Sequence, residues 1–204
     1  MNKKITLIGL TITLFTTFLF ALFMIIDFIM GSYFVCIFLA IGYLIMTSGL
    51  TSNVNKDKSL KSLALGFGVI YAILIFIVYY TQVTVVNKGN AGEEVMYVLD
   101  YRNLNIMFYL DLLGYGIMAL STFFLGLTIE ANDRTSKTFK ILLMIHGLFF
   151  IPCLIMPMTP LLDKKEGSSS IGGVIALEFW CLYFIVLCIF GFLSVLKNKK
   201  NISL

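Results

Sequence analysis

"NIMFYLDLLGYGIMALSTFFLGLTIE", residues 105–130, decides how the rest of the chain is read. Between Asn105 and Glu130 the only charged side chain is Asp111. A hydrocarbon core of about 30 Å takes about 20 apolar residues in helix. A run this long without period-two alternation suits such a helix and not a barrel strand. Asp111 stands a few residues inside it, where a carboxylate has little water to hold it.

Five further runs have the same character. The six predicted spans are 5–26, 29–50, 62–86, 104–128, 141–160 and 171–196. The composition agrees: 59% of residues are hydrophobic, 13% are charged and the mean hydropathy is +0.96. Soluble domains hold about 25% charged residues, so this chain is built for lipid. The expectation is an all-α bundle of six transmembrane helices forming one integral membrane domain. The first run follows a signal-like Met1-Asn-Lys-Lys, but it is longer than a usual signal core and no A-x-A-like site comes after it, so it is read as a retained helix.

The net charge of +4 does not point to nucleic acid, because the basic residues cluster in short gaps between apolar runs. Eleven of them (Lys3, Lys4, Lys56, Lys58, Lys61, Arg134, Lys137, Lys140, Lys197, Lys199 and Lys200) share the side of the N-terminus. Four (Lys88, Arg102, Lys164 and Lys165) fall opposite. The positive-inside rule then places both termini in the cytoplasm of a multi-pass cell-membrane protein. The lipid bilayer is the expected partner. The four cysteines (Cys36, Cys153, Cys181 and Cys188) lie within apolar runs without CxxC spacing, so core packing is expected rather than a disulfide framework or zinc.

The longest outer loop is "NKGNAGEEVMYVLDYRN", 87–103. Glu93 and Glu94 suit a helix start after Gly92, and the sequence predicts a short interfacial helix over 93–103. The other outer loop, "LLDKKEGSSSIGG", 161–173, has the composition of a flexible connection. Small residues are expected to mediate packing in lipid: Ala64, Gly68 and Ala72 on the third span, and Gly114, Ser121 and Thr122 near Asp111 on the fourth. Thr6, Thr11, Thr13, Thr16 and Thr17 can bond their own helix carbonyls, so they are weak markers of contact. In the fifth span, Pro152 is expected to kink the helix, Pro157 and Pro160 to end it, and Pro152 and Pro157 are the candidate hinge.

Candidate chemistry centres on Asp111 and Glu178. Each lies seven residues below the outer start of its predicted span, a depth of roughly 10 Å. Three devices would relieve a carboxylate there: a held proton, a bound cation, or Arg102 reaching down from the interface. Asp27, Tyr79, Tyr80, Gln82, Tyr101, Tyr109 and Tyr115 surround the same level, as an aromatic interface belt or as a pocket wall. The candidate ligand- or proton-binding set is Asp111, Glu178, Arg102 and Tyr115. The only histidine, His146, cannot form a bis-histidine haem site or a multi-histidine zinc site, and a satisfied packing or interfacial role is expected. No HExxH, GxGxxG, P-loop or GxSxG is present. Glu93-Glu94 matches only the start of the EExxxR motif of CAAX-protease-like membrane enzymes, with Val98 at the arginine position. No cofactor is implied.

The stretch "LDLLGYGIMALSTFFLGLTI", residues 110–129, resembles a segment of small bacterial polytopic membrane proteins of unknown function. The size and six-helix layout resemble the substrate-binding subunits of energy-coupling vitamin transporters, although "FTTFLFALFMII" (15–26) lacks their small-residue coupling motif. The paired acids and the proline-broken span lead to an expectation of small-molecule or ion handling through an outward polar pocket. The alternative is a structural, sensory or immunity-type protein acting through a membrane partner.

Overall fold

The computed structural model describes residues 1–52, 57–159 and 171–197, with side chains from 174 in the last stretch. The described elements are all helical: α1 Lys3–Ile25, α2 Ile29–Thr51, α3 Lys58–Thr81 running into a π-helical turn Gln82–Val86, α4 Glu93–Leu99, α5 Ile106–Thr128, α6 Arg134–His146, α7 Phe150–Ile155 and α8 Ile171–Lys197. Among the described residues six helical stretches are long and apolar enough to cross a membrane, the fifth being the broken run Arg134–Met158. They close into a ring in which α1 packs on α2, α2 on α3, α3 on α5, α5 on α6 and α7, α6 on α8, and α8 back on α1. Large apolar side chains such as Phe15 (60% exposed) and Phe179 (62%) project outward. Such a surface needs an apolar solvent.

The α1–α2 hairpin is the closest pair. Asp27 turns the chain with φ 56, a left-handed conformation that aspartate tolerates better than most residues. The helices then run antiparallel with their backbones in contact. A Cβ on Gly9 would lie 2.2 Å from the Met46 amide nitrogen, and one on Gly49 would lie 2.5 Å from that of Thr6. Thr6, Thr13, Thr16 and Thr17 are buried along this seam, and only Thr11 is exposed. Thr6, Thr16 and Thr17 donate to carbonyls of their own helix at 2.8 Å. The buried threonines are therefore contact residues: the hydroxyls of Thr6, Thr16 and Thr17 are satisfied locally, that of Thr13 has no partner among the described residues, and their small bodies let the partner helix approach.

The stripe Ala64, Gly68, Ala72 faces α5, as its spacing implies: Ser121 donates to the Ala64 carbonyl at 2.6 Å, and Ser121 Oγ lies 3.3 Å from where a Gly68 Cβ would be. The fifth span starts at Arg134 and not at 141. Asp133 caps it, accepting from the Thr135 and Ser136 amides at 2.8 and 3.3 Å and from the Ser136 hydroxyl at 2.6 Å. That cap brings Arg134, Lys137 and Lys140 into the helix. Lys140 then reaches the Ile129 carbonyl, a helix-end acceptor of α5, at 3.2 Å.

Pro152 sits inside α7, and the helix tightens to 3-10 geometry over Gly147–Phe149. The proline ring collides with the carbonyl four residues back, at Leu148, so the distortion falls there. Gly147 lies against Phe123, 2.7 Å from where a Cβ would stand, which lets the bent segment seat on α5. Pro157 lies in the 3-10 turn Met156–Met158 that ends the run. Pro160, the 161–173 loop assignment up to residue 170, and Lys56, Lys164, Lys165, Lys199 and Lys200 lie outside the described residues.

The Ser136 hydroxyl and the α6 amides hold the Asp133 carboxyl below the ordinary carboxylate range. A depressed folded-state value means that the cap stabilises the fold above the ordinary aspartate pKa and loses this effect as pH falls through the depressed value. Asp133→Ala should lower the melting temperature in detergent at pH 7, and the gap from wild type should close as the buffer is taken to strongly acidic pH. A gap that does not change with pH would exclude the charged cap as the cause.

Candidate functional site

Helices α2, α3 and α5 each turn a stripe of polar, aromatic and small residues inward. On α2 these are Tyr33, Cys36, Ala40, Tyr43 and Thr47, spaced three or four apart. On α3 the stripe of small residues continues through Ile75 and Tyr79 to Gln82, and on α5 it runs Asp111, Gly114, Met118, Ser121 and Thr122. Their meeting gives the molecule a tyrosine-lined polar column.

Asp111, 4% exposed, lies near the end of the column that carries the 87–105 connection. The Tyr101 hydroxyl donates to its Oδ2 at 3.1 Å. Among the described residues its Oδ1 is buried without a partner at hydrogen-bond distance, while the Tyr79 hydroxyl also lies beside the carboxyl group. Among the described residues the titratable groups around it are Tyr71 and Tyr79 of α3, Tyr33 and Cys36 of α2, Tyr101, Tyr115 of its own helix and Cys153 of α7. None is a basic side chain. Tyr33, Tyr79 and Tyr101 pack as a triangle, with ring centroids 5.6, 5.7 and 6.4 Å apart. Burial first, and then the nearby carboxylate, hold the Tyr101 phenol well above its ordinary value, so it stays a donor.

Two of the sequence candidates do not join this carboxylate. Arg102 is 64% exposed and clasps Asp100 through Nε and Nη2, the closest contact being 2.7 Å. Residues 101–103 form a 3-10 turn, and its direction points Arg102 outward while Tyr101 goes in. Glu178 shares no hydrogen bond or resolved charge interaction with Asp111. It borders the outward stripe Ile175, Phe179 and Leu182 of α8, whereas Trp180 points to the core. The matched depth of the two acids depends on helix length alone, but their facing depends on rotation about the axis. Tyr115 is in the column, and its hydroxyl contacts Cys36 Sγ at 3.7 Å and not Asp111 directly.

The column continues inward by two branches. Tyr71 packs on Tyr115 and on Tyr43, with centroids 5.8 and 5.4 Å apart. Tyr43 donates to Ser121 at 2.7 Å. On the other branch Trp180 packs edge-on to Tyr115 at 5.0 Å and donates from Nε1 to His146 Nε2 at 3.0 Å. Indole nitrogen only donates, so His146 Nε2 is the acceptor and the ring proton lies on Nδ1. Nδ1 then donates to Thr122 Oγ1 at 2.7 Å, and Thr122 donates to the Ala119 carbonyl at 2.8 Å. His146 is thus a fully bonded packing residue. With the fifth span starting at Arg134, it sits mid-span and not near an interface.

The 87–105 connection closes this end of the column. Gln82, fully buried at the start of the π-helical turn, donates to the Leu99 carbonyl at 2.8 Å and accepts from the Tyr101 amide at 3.0 Å. Those two bonds hold the backbone that presents Tyr101. Leu104 beyond it adopts φ 54, a left-handed conformation that is uncommon for leucine. π-Turns and such backbone outliers concentrate at functional sites. Helix α4 buries no residue and exposes Val95, Tyr97 and Val98. Two apolar grooves, one at Phe23 and Phe34 and one at Phe15 and Ile185, include neither Asp111 nor Glu178. Among the described residues no three potential metal ligands converge.

Comparison with known proteins gives no match: no family model, no curated protein and no solved structure is significantly similar to the chain.

Proposed function

We propose that the chain is a multi-pass cell-membrane protein, with both termini in the cytoplasm, that binds a small cation, a proton included, at Asp111. It would act as a transporter or as the membrane subunit of one. The orientation rests on the lysines and arginines counted along the sequence. The cation reading rests on one observation: among the described residues, a buried carboxylate has one oxygen without a partner at hydrogen-bond distance and no basic group acting on it. Leaving an ionised carboxylate uncompensated in a dry interior costs several kcal/mol, of order 3 on insertion scales. A positive species bound there removes that cost. Glu178 lies outside this site and is not part of the reading.

A second reading has an observation of its own. The Tyr101–Asp111 bond ties the 87–105 connection to the bundle, and a partner-binding or structural protein would need no more than that tie. Asp111→Asn separates the two readings, because the amide oxygen still accepts from Tyr101 while the charge is gone. The protein in nanodiscs is titrated with protons, Na+, K+ and ammonium, and Trp180, the single tryptophan, is followed by fluorescence. Wild type should respond to at least one of these, and Asp111→Asn should keep its fold and lose the response. Identical titrations for the two proteins would discard the cation reading and leave the structural one.

A further inference from the structure

We propose that Tyr101 occupies the position of a ligand, and that the ligand is a compact aryl-alkyl ammonium that displaces it. This inference rests on the reading of Asp111 as a cation site and names the class of cation.

Hydrogen-bond capacity sets the head group. A carboxylate has two oxygens to satisfy, and a phenol brings one donor. Tyr101 covers Oδ2, the Tyr79 hydroxyl lies beside the carboxyl group, and among the described residues Oδ1 has no partner at hydrogen-bond distance. A primary ammonium brings three donors and a full positive charge, so it can cover both oxygens and neutralise the group. Tyr101 is therefore an imperfect occupant that a better one can replace.

The walls select the body of the ligand. The Tyr101 ring lies between Tyr33, Tyr79 and Phe108, at centroid distances of 5.7, 6.4 and 5.4 Å. Once Tyr101 withdraws, the space it leaves has the size of one six-membered ring, edged by aromatic faces. Those faces favour a flat apolar body and attract a cation near them. A hydrated alkali ion offers nothing to them, and a hard divalent ion would need several more oxygens than the single carboxylate supplies.

The way in is through the connection that carries Tyr101. Its backbone is held to the bundle by the two Gln82 bonds. The adjoining α4 has no buried residue, and left-handed backbone occurs at Gly89 (φ 65) and Leu104. A segment with few buried apolar contacts opens at low free-energy cost. The occupant must compete with Tyr101, so its apparent affinity is its intrinsic affinity scaled by the fraction of molecules in which Tyr101 is withdrawn. Loosening the connection must therefore tighten binding, which a simple surface site would not show.

The test is calorimetric titration of the purified full chain in detergent with phenethylammonium. Phenylpropionate, the same body with the opposite charge, and tetramethylammonium, a cation without N–H donors, serve as controls. Wild type should bind phenethylammonium and neither control. Gln82→Ala should bind it about tenfold tighter, since removing the two tethers raises the withdrawn fraction, and Tyr101→Ala should do the same by emptying the place outright. Asp111→Asn should not bind. If phenethylammonium binds to none of wild type, Gln82→Ala and Tyr101→Ala, the ligand class is wrong, and Asp111-dependent responses to simple cations would still stand. Binding that is unchanged by both Gln82→Ala and Tyr101→Ala would overturn the displacement of Tyr101.

Discussion

Gly9→Ala should destabilise the protein by about 3 kcal/mol, the upper part of the range for overpacking a filled interior. The new Cβ would lie 2.2 Å from the Met46 nitrogen, 2.5 Å from its Cα and 2.8 Å from the Ile45 carbonyl carbon. All three are backbone atoms of α2, so no side chain can rotate away. The two helices would have to move apart over the whole seam, giving up the fit of Thr6 against Gly49 and of Thr13 against Gly42. Helix propensity pushes the other way, since alanine is preferred over glycine by about 1 kcal/mol in a helix interior. The sign of the measured change therefore reports which effect wins. Gly66→Ala is the internal control: Gly66 is exposed on α3, and nothing lies within 4 Å of its would-be Cβ. That variant should be as stable as wild type or slightly more so. Thermal unfolding in detergent, followed by size-exclusion chromatography, reads both. A Gly9→Ala protein as stable as Gly66→Ala would mean that α1 and α2 are not seated as described.

The spans are legible in the sequence because hydropathy depends on length and composition alone, and both survive without knowledge of packing. The predicted 29–50 span against the observed Ile29–Thr51 differs at one end only. The 141 start is wrong for an electrostatic reason. The three basic residues of 134–140 look like loop until the Asp133 cap and the long apolar stems of lysine are considered. Facing is harder to read. It is a rotation about each helix axis, and in lipid the apolar residues point both ways, so no hydrophobic stripe marks the interior. The stripe that does mark it is small and polar. Ala64, Gly68 and Ala72 carry that signal, and continuing the same helix face in steps of three, four and three through Ile75 to Tyr79 and Gln82 reaches the site. The α2 stripe from Tyr33 to Thr47 carries it as well. Arg102 is a candidate only through its nearness to Asp111 in the sequence. The 3-10 turn that separates its direction from that of Tyr101 is a local backbone detail that composition does not encode.

His146 gives the second large effect, because its two ring nitrogens face one donor and one acceptor in a dry interior. Trp180 Nε1 has His146 Nε2 as its acceptor at 3.0 Å. His146→Phe fills the volume and leaves that indole N–H buried without a partner, which costs about 1–3 kcal/mol for a neutral donor. Thr122 loses less, because its hydroxyl still donates to the Ala119 carbonyl at 2.8 Å. The rings stacked on the imidazole, Phe149 at 5.4 Å and Tyr183 at 6.0 Å, accept a phenyl replacement, so lost packing is a minor part of the change. His146→Gln keeps an acceptor and a donor on a side chain of similar reach, and should recover part of the loss. The expected order of melting temperature is wild type, then His146→Gln, then His146→Phe, read in detergent from Trp180 emission. If Phe and Gln were equally destabilising, shape and not the hydrogen bond would govern the site. If Phe were the more stable of the two, the Trp180–His146 bond would contribute nothing to holding α6 on α8, and the assignment of the proton to Nδ1 would lose its basis.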